Sequence, residues 1–479
     1  MVLLVASCVF YVLIAKEQCF YIFVSAFTVY GAARWIGALY AGQSPIAEAK
    51  KKARRVLICA LIVSLGMLAV SKYTGFVLRS FFQLSSLFGG ASAPSTAFSL
   101  VAPVGISYYT FCVVGYLLDV YWKRIPAEKN PLKHLLFVMY FPQVLQGPIP
   151  RFSQLAPQLF ERKTFDYDSF RDGLLLTLFG LFKKLVIANR LSAVISVFFD
   201  RYADYSGPLY LLVLALYSFL IYADFSGAID IVSGVSRLFG IRLMENFRQP
   251  LLSRTIPEFW QRWHISMSSW FKDYVFFPVS ISKLAKKING FVKDKLGRET
   301  ARRFTTLLPL LVVWFLTGLW HGAGWNFIAW GLYYFVLFAL GIFFANPVQR
   351  LTNRLGVKTE CFGFKLFQVV RTFLLCSLGR AFFRAPSLSG AFSILAGIFG
   401  KSTIDPAVFS SGGMVIAYLA IAVLLLIDGL SMKESVLSRL QRQKTWVRWG
   451  VYLLLIFAVL ILGVYGSGAA TEVFAYERF

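Results

Sequence analysis

Only three histidines occur in the 479 residues, and one of them, His321, lies in TGLWHGAGWNF, residues 317–327, inside one of the most apolar regions of the chain. An imidazole at membrane depth has to be hydrogen-bonded, solvated by a cavity, or functional. Gly318, Gly322 and Gly324 flank it and would let backbone or a substrate approach closely. His264 lies in EFWQRWHISMSSWFKDY beside Trp260, Arg262 and Trp263, on a short amphipathic segment. His134 follows KNPLK in a basic loop and is expected at a surface or interface. For His321 an ordinary buried histidine, fastening a helix through one hydrogen bond, fits as well as a functional role does. A polar residue at headgroup level fits His264 equally. Context alone leaves both open.

The chemistries open to these residues differ in what else they require. A zinc site wants three or four ligands, and neither HExxH nor a Cys/His cluster accompanies the two candidate histidines, so no metal is expected. A proton relay in a transporter is open, with Asp224, Asp230 and Asp428 as partners. A Ser-His-Asp hydrolase lacks its GxSxG turn. Acyl transfer from a thioester to a hydroxyl needs the hydroxyl proton removed during attack, and one imidazole titrating near neutrality suits that step without metal or serine.

Composition sets what must position such residues. Hydrophobic residues make up 58% of the chain and charged residues 15%, which excludes an ordinary soluble globule. Apolar segments at 56–70, 101–120, 210–222, 304–320, 327–344, 367–378, 414–427 and 451–464, two more before residue 40, and a weaker one at 174–199 interrupted by Lys183, Lys184 and Arg190 give about eleven crossings. An all-α polytopic membrane protein is therefore expected, forming one membrane domain over 1–479. The net charge of +26 raises nucleic acid as a partner, but the Lys and Arg residues cluster at 50–55, 123–133, 151–171, 283–303 and 433–448, alternating with charge-poor loops at 85–95, 201–207, 401–413 and after 468. That alternation marks membrane sides: basic loops cytoplasmic, C-terminus extracytoplasmic, membrane lipids rather than nucleic acid as the contacting surface. The six cysteines show no CxxC spacing and read as apolar fillers. The first twenty residues do not resemble a cleavable signal.

Two regions break the pattern of clean spans. FPQVLQGPIPRF, residues 141–152, holds too many prolines for a continuous helix and predicts a re-entrant or interfacial segment. Residues 222–279 mix acidic, basic and aromatic residues and predict short amphipathic helices at the cytoplasmic leaflet, one capped by Ser253 or Thr255 ahead of Pro257 and Glu258.

MENFRQPLLSRTIPEFWQRWHISMSSWFKDYVFFPV and GLWHGAGWNFIAWG resemble the two signature regions of the membrane-bound O-acyltransferase (MBOAT) family, in its bacterial alginate O-acetylation branch. VGISYYTFCVVGYLLDVY, FPQVLQGPIPRF, YADFSGAIDIVSG and LGRAFFRAPSL match in the same order, so the resemblance is collinear from about residue 3 to 386, with a signature core of about 100–386 and a cytoplasmic-side region at 222–303. The resemblance implies an MBOAT fold with a central tunnel, in a bacterial plasma membrane. It implies His321 as general base and His264 as a second, positioning catalytic residue. Trp320, Gly322, Trp325, Asn246 and Trp263 are expected along the substrate tunnel, with His264 towards the cytoplasm and His321 farther across the span. Asp224, Trp263, Arg262 and Asn246 are expected to hold the cytoplasmic half together more than to touch substrate.

The resemblance also implies no bound cofactor. A cytosolic acyl thioester, acetyl-CoA or an acylated carrier protein, would serve as co-substrate, and an extracytoplasmic polysaccharide or an acetyl-accepting partner protein would take the group. D-Alanyl transfer to teichoic acid and a proton-coupled transporter are the alternatives. Relatives in the alginate branch carry one more hydrophobic segment before VLLVASCVFY, and tryptophan where this chain has Arg380.

Overall fold

The computed structural model describes residues 1–89 and 102–465. The expected loop at 85–95 lies partly outside them, and the tail after 468 wholly outside. The chain divides into two compact units, Met1–Phe170 with Val235–Met244 and Arg171–Gly234 with Glu245–Phe479.

The first unit is built from α1 (Val2–Ala15), α2 (Cys19–Ala41), α3 (Ile46–Leu87), α4 (Ile106–Tyr121), α5 (Pro131–Met139) and α6 (Phe152–Phe160). The basic cluster at 50–55 is helical, the first turns of the 42-residue α3, rather than a loop. The proline-rich stretch does interrupt the helices: α5 ends at Met139 and α6 starts at Phe152. Between them the chain is tied down by Tyr108 Oη donating to the Pro148 carbonyl at 2.9 Å and the Phe141 N–H donating to Ser7 Oγ at 3.1 Å. Gly105 has φ +75° where a Cβ would fall 2.6 Å from the Val144 carbonyl oxygen, so both conformation and space demand glycine. His134 is not at a surface. Asn130 caps α5 through the Leu132 and Lys133 N–H groups, and the helix turns His134, 1% exposed, between Tyr116 and Tyr30 at ring separations of 4.7 and 5.8 Å. Burial pushes its imidazole down to about 4.

The second unit continues through α7 (Tyr167–Leu181), a π-helical stretch Phe182–Ala188, α8 (Asn189–Asp200) and α9 (Leu209–Leu238), the start of α7 and the end of α9 belonging to the first unit. Asp224 and Asp230 lie on α9, so the expected amphipathic region begins only after Leu238. The carboxylates are tolerated there because Lys183 Nζ stands 2.7 Å from Asp230 Oδ2 and Lys184 pairs with Asp224. The π-helical stretch changes the helical phase where both lysines leave the backbone. Small residues bring α7 and α9 together: a Cβ on Gly180 would sit 2.5 Å from the Gly227 carbonyl oxygen, and one on Gly227 2.8 Å from that of Gly180. The four charges that weakened residues 174–199 and 222–238 as spans are thus each other's partners.

Short helices follow, α10 (Ile256–Arg262), α11 (Ile265–Phe271), a π-helical turn Lys272–Phe276 and α12 (Phe277–Ser280). Then come α13 (Lys283–His321), α14 (Trp325–Arg354), α15 (Phe362–Arg384), α16 (Leu388–Gly397), α17 (Gly412–Ser431), α18 (Val436–Gln441) and α19 (Thr445–Leu462). The basic stretch 283–303 is the first part of α13, bent at Gly297 (φ +85°), not a loop.

Among the described residues, eight helical stretches are long and apolar enough to cross a membrane: Val2–Ala41, Ile46–Leu87, Leu209–Leu238, Lys283–His321, Trp325–Arg354, Phe362–Arg384, Gly412–Ser431 and Thr445–Leu462. The protein is an all-helical, multi-pass membrane protein. Of the apolar segments counted from sequence, the first two share Val2–Ala41, α4 has only 16 residues, and 174–199 is the lysine-bearing segment just described.

Removing one partner of a buried ion pair strands the other, at a cost of about 3–5 kcal/mol. Asp230→Asn is therefore expected to lower the thermal unfolding temperature of the purified protein by several degrees. Lys183→Met combined with Asp230→Leu should recover most of that loss, which thermal unfolding of the three proteins in one detergent will read.

Candidate active site

The elbow between α10 and α11 carries His264. Thr255, not Ser253, caps α10 by accepting the Glu258 N–H at 3.2 Å, and Glu258 Oε2 accepts the Arg254 N–H at 2.8 Å, a reciprocal cap with Pro257 in the first turn. Arg262 closes on Glu258 at 2.6 Å one turn later, the holding role expected of it. His264 then enters the left-handed region, φ 49° and ψ 51°, and breaks the helix. A β-branched or bulky residue adopts that conformation only where its surroundings hold it.

The surroundings come from residues 246–248, which run antiparallel beside 262–265. Phe247 and Trp263 form a β-bridge, the Arg248 N–H donates to the Arg262 carbonyl at 2.9 Å, and the Ile265 N–H donates to the Asn246 carbonyl at 2.9 Å. Asn246 is 1% exposed, and its Oδ1 gathers the Ser266 N–H at 3.0 Å, the Ser266 hydroxyl at 2.8 Å and His264 Nδ1 at 3.3 Å. A carbonyl oxygen only accepts, so this arrangement puts the imidazole proton on Nδ1 and the lone pair on Nε2. Burial pushes His264 down to about 3, so its ring is neutral at physiological pH. Trp263 lies at the centre of an aromatic cluster, stacked on Phe259 at 5.5 Å and edge-on to Phe247 at 5.1 Å.

His321 is the last residue of α13 and is 2% exposed. Three rings stand edge-to-face around it: Trp320 at 4.8 Å, Trp330 at 4.8 Å and Phe383 at 5.4 Å. Trp320 is also 6.0 Å from His264. The two histidines, 57 positions apart in sequence, therefore meet the same indole. Trp320 is the residue that joins them.

Of the close approaches expected at these glycines, of backbone or of substrate, the first is observed. A Cβ on Gly318 would meet the Phe327 carbonyl oxygen at 2.4 Å, one on Gly322 the Phe327 ring at 2.2 Å, and one on Gly324 Asn326 Oδ1 at 2.5 Å. At these Cβ positions the space is filled by the chain itself, which closes the α13–α14 hairpin. Gly331 makes the matching approach, its Cβ position 2.2 Å from the Trp314 carbonyl oxygen. Gly322 is extended (φ −170°), a conformation open to any residue; its constraint is space alone. Trp325, expected along the tunnel, is 52% exposed at the start of α14, whereas Trp330 on the inner face is 1% exposed. Asn326 ties the start of α14 to the end of α15 by donating to the Phe382 and Ala385 carbonyls at 3.2 and 3.0 Å. That tie brings Phe383 onto His321. Asn326, Trp330 and Tyr334 recur every fourth residue, a buried stripe that helical periodicity could have revealed.

The profile of the MBOAT, membrane-bound O-acyltransferase family matches residues 123–292, a span that includes the His264 elbow. Over 434 residues the chain is 32% identical to the probable alginate O-acetylase AlgI of Pseudomonas aeruginosa, covering 88% of this chain and 75% of that protein. The chain belongs to the membrane-bound O-acyltransferase family. It is an O-acyltransferase.

Other relatives of this MBOAT protein carry different acceptors in their names. A peptidoglycan O-acetyltransferase of Helicobacter pylori is 29% identical over 73% of this chain and 65% of its own length. A teichoic acid D-alanyltransferase of Bacillus subtilis is 29% identical over 56% of this chain and 69% of its own.

Asn246→Ala removes the acceptor of three donors and should let His264 leave its strained conformation. The expected result is a fall in kcat of about tenfold or more with little change in KM, since a hydrogen bond in a buried network carries about 1–2 kcal/mol. Asn246→Asp, which keeps the accepting oxygen, should retain most of the activity. Acid sensitivity follows from the burial of His264. Its folded pKa lies below the unfolded value near 6.5, so the unfolded chain binds the extra proton and stability falls as pH drops from 6.5 towards 3. His134, likewise pushed down by burial, adds to the same fall, so His264→Gln should reduce it without abolishing it, as unfolding measured at pH 7 and pH 5 will show.

Proposed function

We propose that the protein moves an acetyl group from a cytosolic thioester, acetyl-CoA, to hydroxyl groups of an extracytoplasmic polysaccharide, with the residues around His321 as the transfer site and the whole chain acting as one catalytic domain. The observation that carries this reading is the convergence of His264 and His321 on Trp320, in a chain that matches an alginate O-acetylase across most of its length. The imidazole of His321 takes the proton of the attacking hydroxyl as its oxygen forms a bond to the thioester carbonyl carbon. The carbon–sulfur bond then breaks, and the thiol leaves with that proton. The rings of Trp320, Trp330 and Phe383 keep competing hydroxyl and carboxylate groups away from three sides of the imidazole. Trp330 Nε1, which has no acceptor among the described residues, is a donor available to the carbonyl oxygen as it gains charge. His264, with Nδ1 held by Asn246, positions rather than exchanges protons, because its ring stays neutral across the working pH range.

A membrane carries the geometry of this reaction. Thioester and acceptor would reach His321 from opposite sides through the protein, with the basic stretch 283–303 on the donor side in the cytoplasm, the C-terminus extracytoplasmic, and the plasma membrane of a bacterium as the setting. D-Alanyl transfer to teichoic acid is the second reading, supported by the similarity to the Bacillus subtilis protein and by a basic helix segment at 283–297 suited to an acidic carrier protein.

His321→Ala is expected to abolish acetyl transfer from labelled acetyl-CoA in proteoliposomes while leaving the amount of protein in the membrane unchanged. Retained transfer in that variant would remove His321 as the base. Transfer of D-alanine from a loaded carrier protein, with none of acetyl, would favour the second reading.

A further inference from the structure

Arg380 is 2% exposed on α15, one turn before Arg384. The two arginines are treated differently by the fold. Arg384 Nη2 stands 3.1 Å from Asp200 Oδ1. Arg380 makes no hydrogen bond and no ion pair among the described residues, and its Nε is buried without an acceptor. Its guanidinium rests instead on the face of Trp263, with Cζ 4.8 Å from the ring centroid. Lys183 and Lys184, also carried into apolar surroundings, each have a carboxylate.

A guanidinium does not lose its proton in proteins, so neutralisation cannot relieve its burial. A buried charge without a counter-charge is strongly unfavourable, and a cation–π contact offsets only part of that. With the flat face taken by Trp263, the edge remains, where the five N–H donors form a fork matched to carboxylate or phosphate oxygens. The location adds a second constraint. Trp263 immediately precedes His264, and Phe383, one turn farther along α15, stands 5.4 Å from His321. The charge therefore lies against the residue next to His264 and one turn from the ring that packs on His321.

We propose that Arg380 is an anion-recognition residue of the acyl-transfer site, pairing through the edge of its guanidinium with a carboxylate or phosphate group carried by a substrate. The assignment rests on reading the surroundings of His321 as that site. Two sources offer such a group: the phosphates of a nucleotide thioester donor, and an acidic group on the acceptor saccharide.

The test compares wild-type, Arg380→Gln and Arg380→Lys proteins with four substrates in proteoliposomes. These are acetyl-CoA, S-acetyl-N-acetylcysteamine, which has no phosphate, an acidic oligosaccharide, and the same oligosaccharide with its carboxyl groups reduced. Arg380→Gln should raise KM for one charged substrate on the order of ten- to a hundredfold and leave its uncharged counterpart unchanged, with Arg380→Lys in between. A rise with acetyl-CoA alone assigns the donor phosphates, and a rise with the acidic oligosaccharide alone assigns the acceptor. Equal effects on charged and uncharged substrates, or none, overturn the proposal. Should neither variant fold, wild-type kcat/KM values that ignore the charge of both substrates overturn it as well. Equilibrium binding of the same four compounds is read in parallel. Arg380-dependent binding without turnover refutes the acyl-transfer reading alone.

Discussion

A polar group inside a lipid-facing chain has no water to bond with, and nearly every informative feature of this structure follows from that constraint. Four of the charges carried into apolar segments are matched in opposite-sign pairs by the fold. Lys183 and Lys184 would disqualify their segment as a membrane span, and Asp224 and Asp230 would weaken theirs, until the two segments pack and the four groups become two ion pairs. The glycine contact between Gly180 and Gly227 is what allows the backbones close enough for those pairs to form. Packing and electrostatics are one device here.

The same constraint shapes the candidate site. Asn246 spends its oxygen on Ser266 and His264 because an elbow between two short buried helices leaves donors that water cannot reach. In satisfying them it fixes the tautomer of a histidine and holds it in the left-handed region, which costs a non-glycine residue about 1–3 kcal/mol. His321 is placed by different means, a tight hairpin between α13 and α14 that requires small residues at Gly318, Gly322 and Gly331. Two independent local devices thus bring two imidazoles to Trp320. The candidate site is held by parts that serve packing first.

Much of the site could be read from residue order. Context alone leaves His321 and His264 open between packing and function, and the resemblance, carried by motifs that are local in sequence, is what groups them with Asn246 and Trp263. A cap at Ser253 or Thr255 and a break within residues 141–152 are equally local readings, set by Pro, Gly and hydroxyl positions within a few residues. Trp330 and Phe383 were not found this way. Each joins the site from another helix, and a tryptophan or phenylalanine in a membrane helix looks the same whether it faces lipid or an imidazole. His134 was misread for a related reason: basic neighbours in sequence said nothing about Tyr116 and Tyr30 closing over it.

What the sequence by itself determined was the solvent, the all-helical architecture and the chemistry at hand, since apolar run length and charge spacing act over distances of one helix. Tertiary structure decided which of those residues belong together. Whether a lysine in a span is a defect or half of an ion pair, whether a glycine makes room for substrate or for Phe327, and which tryptophan touches His321 depend on helices separated by tens to hundreds of residues. Those contacts are fixed by side-chain volume and paired charge across an interface, quantities that no single segment carries.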